Sequence, residues 1–215
     1  MHMVSVYQLA LGPDFPRLQP ELQEYFSLAP PGGHDGGATA SGVGSGMFDV
    51  AGCPVPAMRP FLGLTSGDNA LFPEYQHDVP FSIENRASVN ASGQPELSAV
   101  RTLGFHDRTR IVEDRTSWDD DLRRPVGALG RSGRLLTDVA CSVGADGRMR
   151  LASRRCRISA GPLTIGLPLL LDAAAFTEQW WDGSEGRFRI RTKVIQRQLG
   201  TVLEYSGSFT YSMHA

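Results

Sequence analysis

The sequence predicts a mainly β protein: an antiparallel up-and-down barrel or curved half-barrel, lipocalin-like in shape, with a short N-terminal helical segment. Three observations lead there. The stretch Gly186–Ile195 reads GRFRIRTKVI, in which Arg187, Arg189, Arg191 and Lys193 alternate with Phe188, Ile190, Thr192 and Val194. That period of two marks a strand with one wet and one apolar face. Similar alternations recur from residue 81 onward, separated by turn residues. The 215 residues include 24 Gly and 14 Pro, which favours many turns over long helices. No helices alternate with the strands, so parallel α/β folds are disfavoured.

In chain order, Phe15, Leu18, Leu22, Tyr25 and Phe26 form one apolar helical stripe. Asp14 is the expected N-cap, and Pro20 is expected to split the segment. Residues 29–80 read as a Gly/Pro-rich loop region. Within it, Thr39–Gly46 is weak strand material whose small residues leave room beside it. Met58, Phe61, Leu62, Leu64, Leu71 and Phe72 are candidates for an apolar cap over a cavity, or for satellite core under the loop.

Phe81, Ile83, Asn85, Ala87 and Val89 alternate before a turn at Asn90–Gly93. Strands are expected at Leu97–Phe105, at Thr109–Trp118, and through Leu135, Thr137, Val139, Cys141 and Val143. Asp146-Gly147 supplies a tight hairpin turn, and the return strand slips one step near Ser153-Arg154, as a bulge would. Leu203, Tyr205, Gly207, Phe209 and Tyr211 close the sheet. About seven to nine strands result, in one domain spanning 1–215: a helical segment to residue 28, the loop region 29–80 and strands over 81–215. Closure removes exposed edges, and about eight strands enclose space for one small ligand.

Composition excludes several functions. A net charge of −2 gives no general attraction to nucleic acid. Cys53, Cys141 and Cys156 form no CxxC pattern, and the five histidines lack HxxxH or HExxH spacing, so no metal is expected. An odd, sparse set of cysteines fits a reducing cytoplasm. No basic leader opens the chain, and the longest apolar stretch, Ile165–Phe176, is interrupted by Pro168 and Asp172, so no transmembrane segment is expected. Gly42–Gly46 lacks a complete phosphate-loop pattern, Asp119-Asp120-Asp121 lacks the EF-hand pattern, and no GxSxG is present. His106-Asp107 reads as a turn cap. No cofactor is expected, and a homodimer is allowed.

The stretches YQLALGPDFPRLQPELQEYFSL (7–28), 133–143, RMRLASRRCRI, Gly166-Leu167-Pro168 and GRFRIRTKVIQRQLGTVLEYSGSF carry a resemblance. The chain resembles a bacterial domain of unknown function found C-terminal to saccharopine-dehydrogenase-like Rossmann proteins, or free-standing. Relatives of that kind end the first helix in an aromatic followed by His. This chain has Tyr25-Phe26 instead. The resemblance supports the architecture and lends no activity.

The expected site is the apolar face of the closing strands. Phe188, Ile190, Val194, Leu203, Phe209 and Tyr211 would line a pocket together with Trp180, Trp118 and Met149. Tyr205 would offer a hydroxyl to a ligand carbonyl. Glu178 shares a strand face with Trp180, and on an inward face it would be a buried acid. The expected ligand is an apolar small molecule. The function read from this is a cyclase or isomerase that preorganises a polyene or polyketide-like substrate for ring closure in secondary metabolism, with Tyr205 and Glu178 as catalytic candidates. The other reading is a non-catalytic lipid or small-molecule carrier or sensor.

Overall fold

A computed structural model describes residues 3–31, 40–160, 163–168 and 172–214. Readings that fall on 32–39, including His34, and on 169–171 lie outside these residues.

The N-terminus folds as α1 (Val6–Leu11), a 3-10 segment (Gly12–Arg17) and α2 (Pro20–Phe26). The helical segment expected up to residue 28 is present, and it begins at α1, upstream of the Phe15–Phe26 stripe. Its signal is Ser5-x-x-Gln8: the Ser5 hydroxyl accepts from the Gln8 N–H at 3.0 Å, and the Gln8 side chain accepts from the Ser5 N–H at 2.8 Å. Ser5 also donates to the Phe26 carbonyl at 2.6 Å, which ties α1 to the end of α2. Asp14 is not an N-cap. It sits inside the 3-10 segment and pairs with Arg17 at 2.8 Å.

The strands are β1 (Ala40–Gly52), β2 (Tyr75–Val89), β3 (Pro95–Gly104), β4 (Thr109–Asp119), β5 (Arg124–Leu129), β6 (Leu135–Val143), β7 (Met149–Ala160), β8 (Leu163–Gly166), β9 (Ala173–Asp182), β10 (Arg187–Gln196) and β11 (Gly200–His214). All pairings are antiparallel and join chain neighbours, except that β7 pairs with β9 past β8 and β1 with β11. β1 pairs with β11, and β6 with β7, so ten strands form a closed barrel and β8 hangs off β7. The barrel expectation is met, with more strands than counted. The region 29–80 is not simply a loop. It contains all of β1, α3 (Arg59–Ser66) and the start of β2.

The turns follow the sequence signals. Gly93 and Gly147 take positive φ, 78° and 76°, at their hairpins. The bulge in β7 falls at Arg155, at φ 58°, where the register with β6 shifts.

The helices plug one end of the barrel. The Gln19 N–H donates to the Gly147 carbonyl at 3.0 Å, and the Gln19 side chain bonds both backbone groups of Trp181. Beneath them lies an aromatic layer: Phe188 stacks on Phe209 at 5.4 Å, and Tyr25 packs on both. At the other end, residues 53–74 cross the opening, and Leu62 and Phe72 are buried there. Phe61 does not join this cap; it is exposed.

β1 turns Gly42, Gly44, Gly46 and Phe48 toward the interior, opposite Asn85, Ile83, Phe81 and Val79 of β2. The Tyr211 ring occupies the space a Gly42 Cβ would need. The run of small residues therefore makes room for an aromatic inside the barrel.

A barrel cavity with an inward ion pair

Between the helical plug and the segment Ala70–Phe72 the barrel interior holds a partly open cavity of about 230 Å³. Alternation fixes its lining. β10 points Ile190, Thr192 and Val194 inward and its four cations outward. β11 contributes Leu203, Tyr205 and Phe209. Thus Ile190, Val194, Leu203, Tyr205 and Phe209 stand where the sequence placed them.

Other candidates stand elsewhere. Phe188 and Met149 are buried in the core rather than on the cavity wall. Tyr211 lies in the aromatic layer, 4.4 Å from Tyr25 between ring centres. Trp118 sits at the plugged end, its indole N–H donating to Asp120 at 2.7 Å.

Glu178 and Trp180 are a correction. Register places Gln179 and Trp181 inward, so Glu178 and Trp180 face outward. Glu178 pairs with Arg148 at 3.3 Å and Arg150 at 3.0 Å, and the Arg148 guanidinium lies 4.6 Å from the Trp180 ring centre. The buried acid expected at Glu178 is instead an exterior ion pair on the solvated face of the sheet.

The cavity holds a different charged pair. Arg101 of β3 and Asp114 of β4 both point inward and form a salt bridge and hydrogen bond. Burial alone would lower the Arg101 pKa. The Asp114 carboxylate outweighs that, with the Tyr205 and Tyr25 phenols adding to it, and holds it above the ordinary value. The other guanidinium N–H groups have no acceptor among the described residues and open on the cavity. In the runs Leu97-x-Ala99-x-Arg101-x-Leu103 and Val112-x-Asp114-x-Thr116, each charge occupies the inward register of its strand. That was the available signal.

Neutral polar groups surround the pair. Asn85, 2% exposed, donates to the hydroxyls of Tyr25 at 3.2 Å and Tyr211 at 3.0 Å. Thr177 and Thr192 share a hydrogen bond at 2.8 Å. Gln179, 4% exposed, lines the cavity beside Tyr25; its Nε2 reaches toward the Tyr25 hydroxyl without a hydrogen bond of full geometry. A buried donor left so costs about 1–3 kcal/mol. Burial pushes the phenols of Tyr7, Tyr25 and Tyr211 above their ordinary value.

Outside the cavity the remaining candidates have structural duties. Asp119 accepts from the Leu122 N–H at 2.8 Å, and Asp120 bonds Trp118 and Gln94. The His106 N–H donates to Gln76 at 2.9 Å in an exposed turn. Among the described residues no cluster of three His, Cys, Asp or Glu could hold a metal, and no helix is long and apolar enough to cross a membrane.

A plugged ten-stranded barrel around a mainly apolar cavity with one inward ion pair defines the class of protein. Residues 18–209 match the family described as domain of unknown function DUF4166, and the chain belongs to that family. It is 26% identical over 207 residues to the uncharacterized protein YndH of Bacillus subtilis (strain 168), covering 96% of this chain and 97% of that one. No solved structure matches the chain.

Proposed function

We propose that the barrel binds one small, largely apolar molecule in its interior. The observation that carries this reading is the interior cavity of about 230 Å³, walled mainly by apolar side chains with one inward ion pair. Its volume exceeds the roughly 150 Å³ apolar cavity that accepts benzene. It lies below the roughly 300–1,000 Å³ of drug-sized sites. A guest on the order of ten non-hydrogen atoms fits, which favours a compact molecule over a long polyene.

A second reading rests on Asp114, Arg101 and Tyr205 lining the same cavity. An isomerase could use them: Asp114 removes a proton beside a carbonyl, Arg101 and Tyr205 stabilise the oxygen, and the proton returns at another carbon. A cyclase could use the same wall to hold a short substrate folded.

Native mass spectrometry of the purified protein tests the first reading. A released guest of the expected size, and loss of its uptake in Ala175→Leu, which fills part of the cavity, are the expected results. An Ala175→Leu protein that takes up the guest as well as the parent would refute the interior site. For the second reading, turnover unchanged in Tyr205→Phe would remove that residue from the chemistry.

A further inference from the structure

We infer that the guest is electrically neutral and bears a hydrogen-bond-accepting oxygen, such as a ketone, enone or ester carbonyl, rather than a carboxylate. This rests on the interior-binding reading above and narrows it.

Two observations on the cavity wall ask for an acceptor. The Gln179 Nε2 group is buried and, apart from its approach to the Tyr25 hydroxyl, lacks a hydrogen bond of full geometry, and Arg101 keeps guanidinium N–H groups that meet no acceptor among the described residues. Both residues line the same cavity. A guest oxygen between them would satisfy donors that the fold leaves open.

Charge decides what kind of oxygen. An arginine inside a barrel ordinarily suggests an anionic guest. Here Asp114 already neutralises Arg101. A carboxylate guest would leave a net negative charge, next to Asp114, in a space of low dielectric. Among the described residues the only other cation bordering the cavity is Arg115, which is exposed and falls between the inward Asp114 and Thr116 of β4, and the cations of β10 alternate with its inward residues. A carbonyl oxygen uses the same donors without adding a charge.

The test compares two molecules of equal non-hydrogen atom count and similar shape, 4-phenylbutan-2-one and 3-phenylpropanoate, with toluene as an oxygen-free control. Binding to the whole protein is measured by calorimetry at neutral pH. The ketone should bind at least about tenfold more tightly than the carboxylate. Asp114→Asn, which frees the Arg101 charge, should erase or reverse that preference. Gln179→Leu should weaken the ketone and leave toluene unchanged, a result that does not depend on the Asp114 variant folding. Toluene uptake with no preference for the ketone, or with preference for the carboxylate, overturns the neutral-guest inference and leaves interior binding standing. No uptake of any of the three overturns both.

Discussion

The barrel carries two arginine–carboxylate groupings that look alike in isolation. Arg101 and Asp114 have side chains 20% and 28% exposed; Glu178, held by Arg148 and Arg150, is 23% exposed. The numbers nearly coincide, yet the surfaces differ. Asp114 opens on the cavity inside the barrel, and Glu178 opens on solvent on the outer wall of the same barrel. One step of strand register separates a charge whose environment is built by the protein from one whose environment is water. Fractional exposure does not distinguish them; the face does.

Alkaline titration should expose the contrast most strongly. Cys141 is pushed by burial from its ordinary 9.0 up to about 12, and Tyr7, Tyr25 and Tyr211 are raised by burial as well. The folded state keeps these protons while the unfolded chain loses them. Stability is therefore fully present below pH 9 and falls above it, first through Cys141 and then, beyond pH 10, through the tyrosines. Each group contributes roughly 1.4 kcal/mol per pH unit while only its unfolded form ionises. Urea unfolding at pH 8, 9.5 and 11 checks the order. A flat profile would mean that the interior is wet.

The next largest effect separates the two groupings directly. Arg101→Met should cost about 3 kcal/mol, because it strands Asp114 inside the barrel. Arg150→Met should cost less than about 1 kcal/mol. Pairing Arg101→Met with Asp114→Leu should recover most of the loss, since a hydrophobic pair of similar volume replaces a buried ion pair at little cost. Equal losses for Arg101→Met and Arg150→Met in chemical denaturation would break the comparison.

The smallest effect belongs to Glu178→Gln. It should change stability by less than about 1 kcal/mol and leave guest binding unaltered. Any change in the uptake of a bound molecule would show that the outer wall and the cavity communicate.

The same one-step register explains what could be read from sequence. The barrel, the hairpin turns and the inward face of β10 and β11 were legible, because each rests on alternation that a strand displays residue by residue. Glu178 could not be placed so. On β9 the residues at both parities include bulky apolar groups, Phe176 and Trp180 on one side and Trp181 on the other, and only pairing with β7 and β10 decides between them. Arg101 and Asp114 were hidden for the opposite reason: a charge in an inward position reads as an interruption of the pattern until its partner appears on the next strand. The start of the helical segment was placed too late, at Asp14, because the Ser5 capping box opens a run of only six residues.

The pairing that closes the ring also bears on how the chain acquires its shape. Contacts such as Phe81 with Leu103 join near neighbours and can form early, whereas Ser41 must meet His214. Non-local strand pairing is slow, because the loop-closure entropy is spent before any contact rewards it. Until β11 arrives, the Gly-rich β1 is an edge with open backbone groups and few side chains to hold a register. Zipping of β1 to β11 is therefore expected to be the late, rate-setting event of folding. The interval before it is when the chain is most exposed to pairing with another copy of itself.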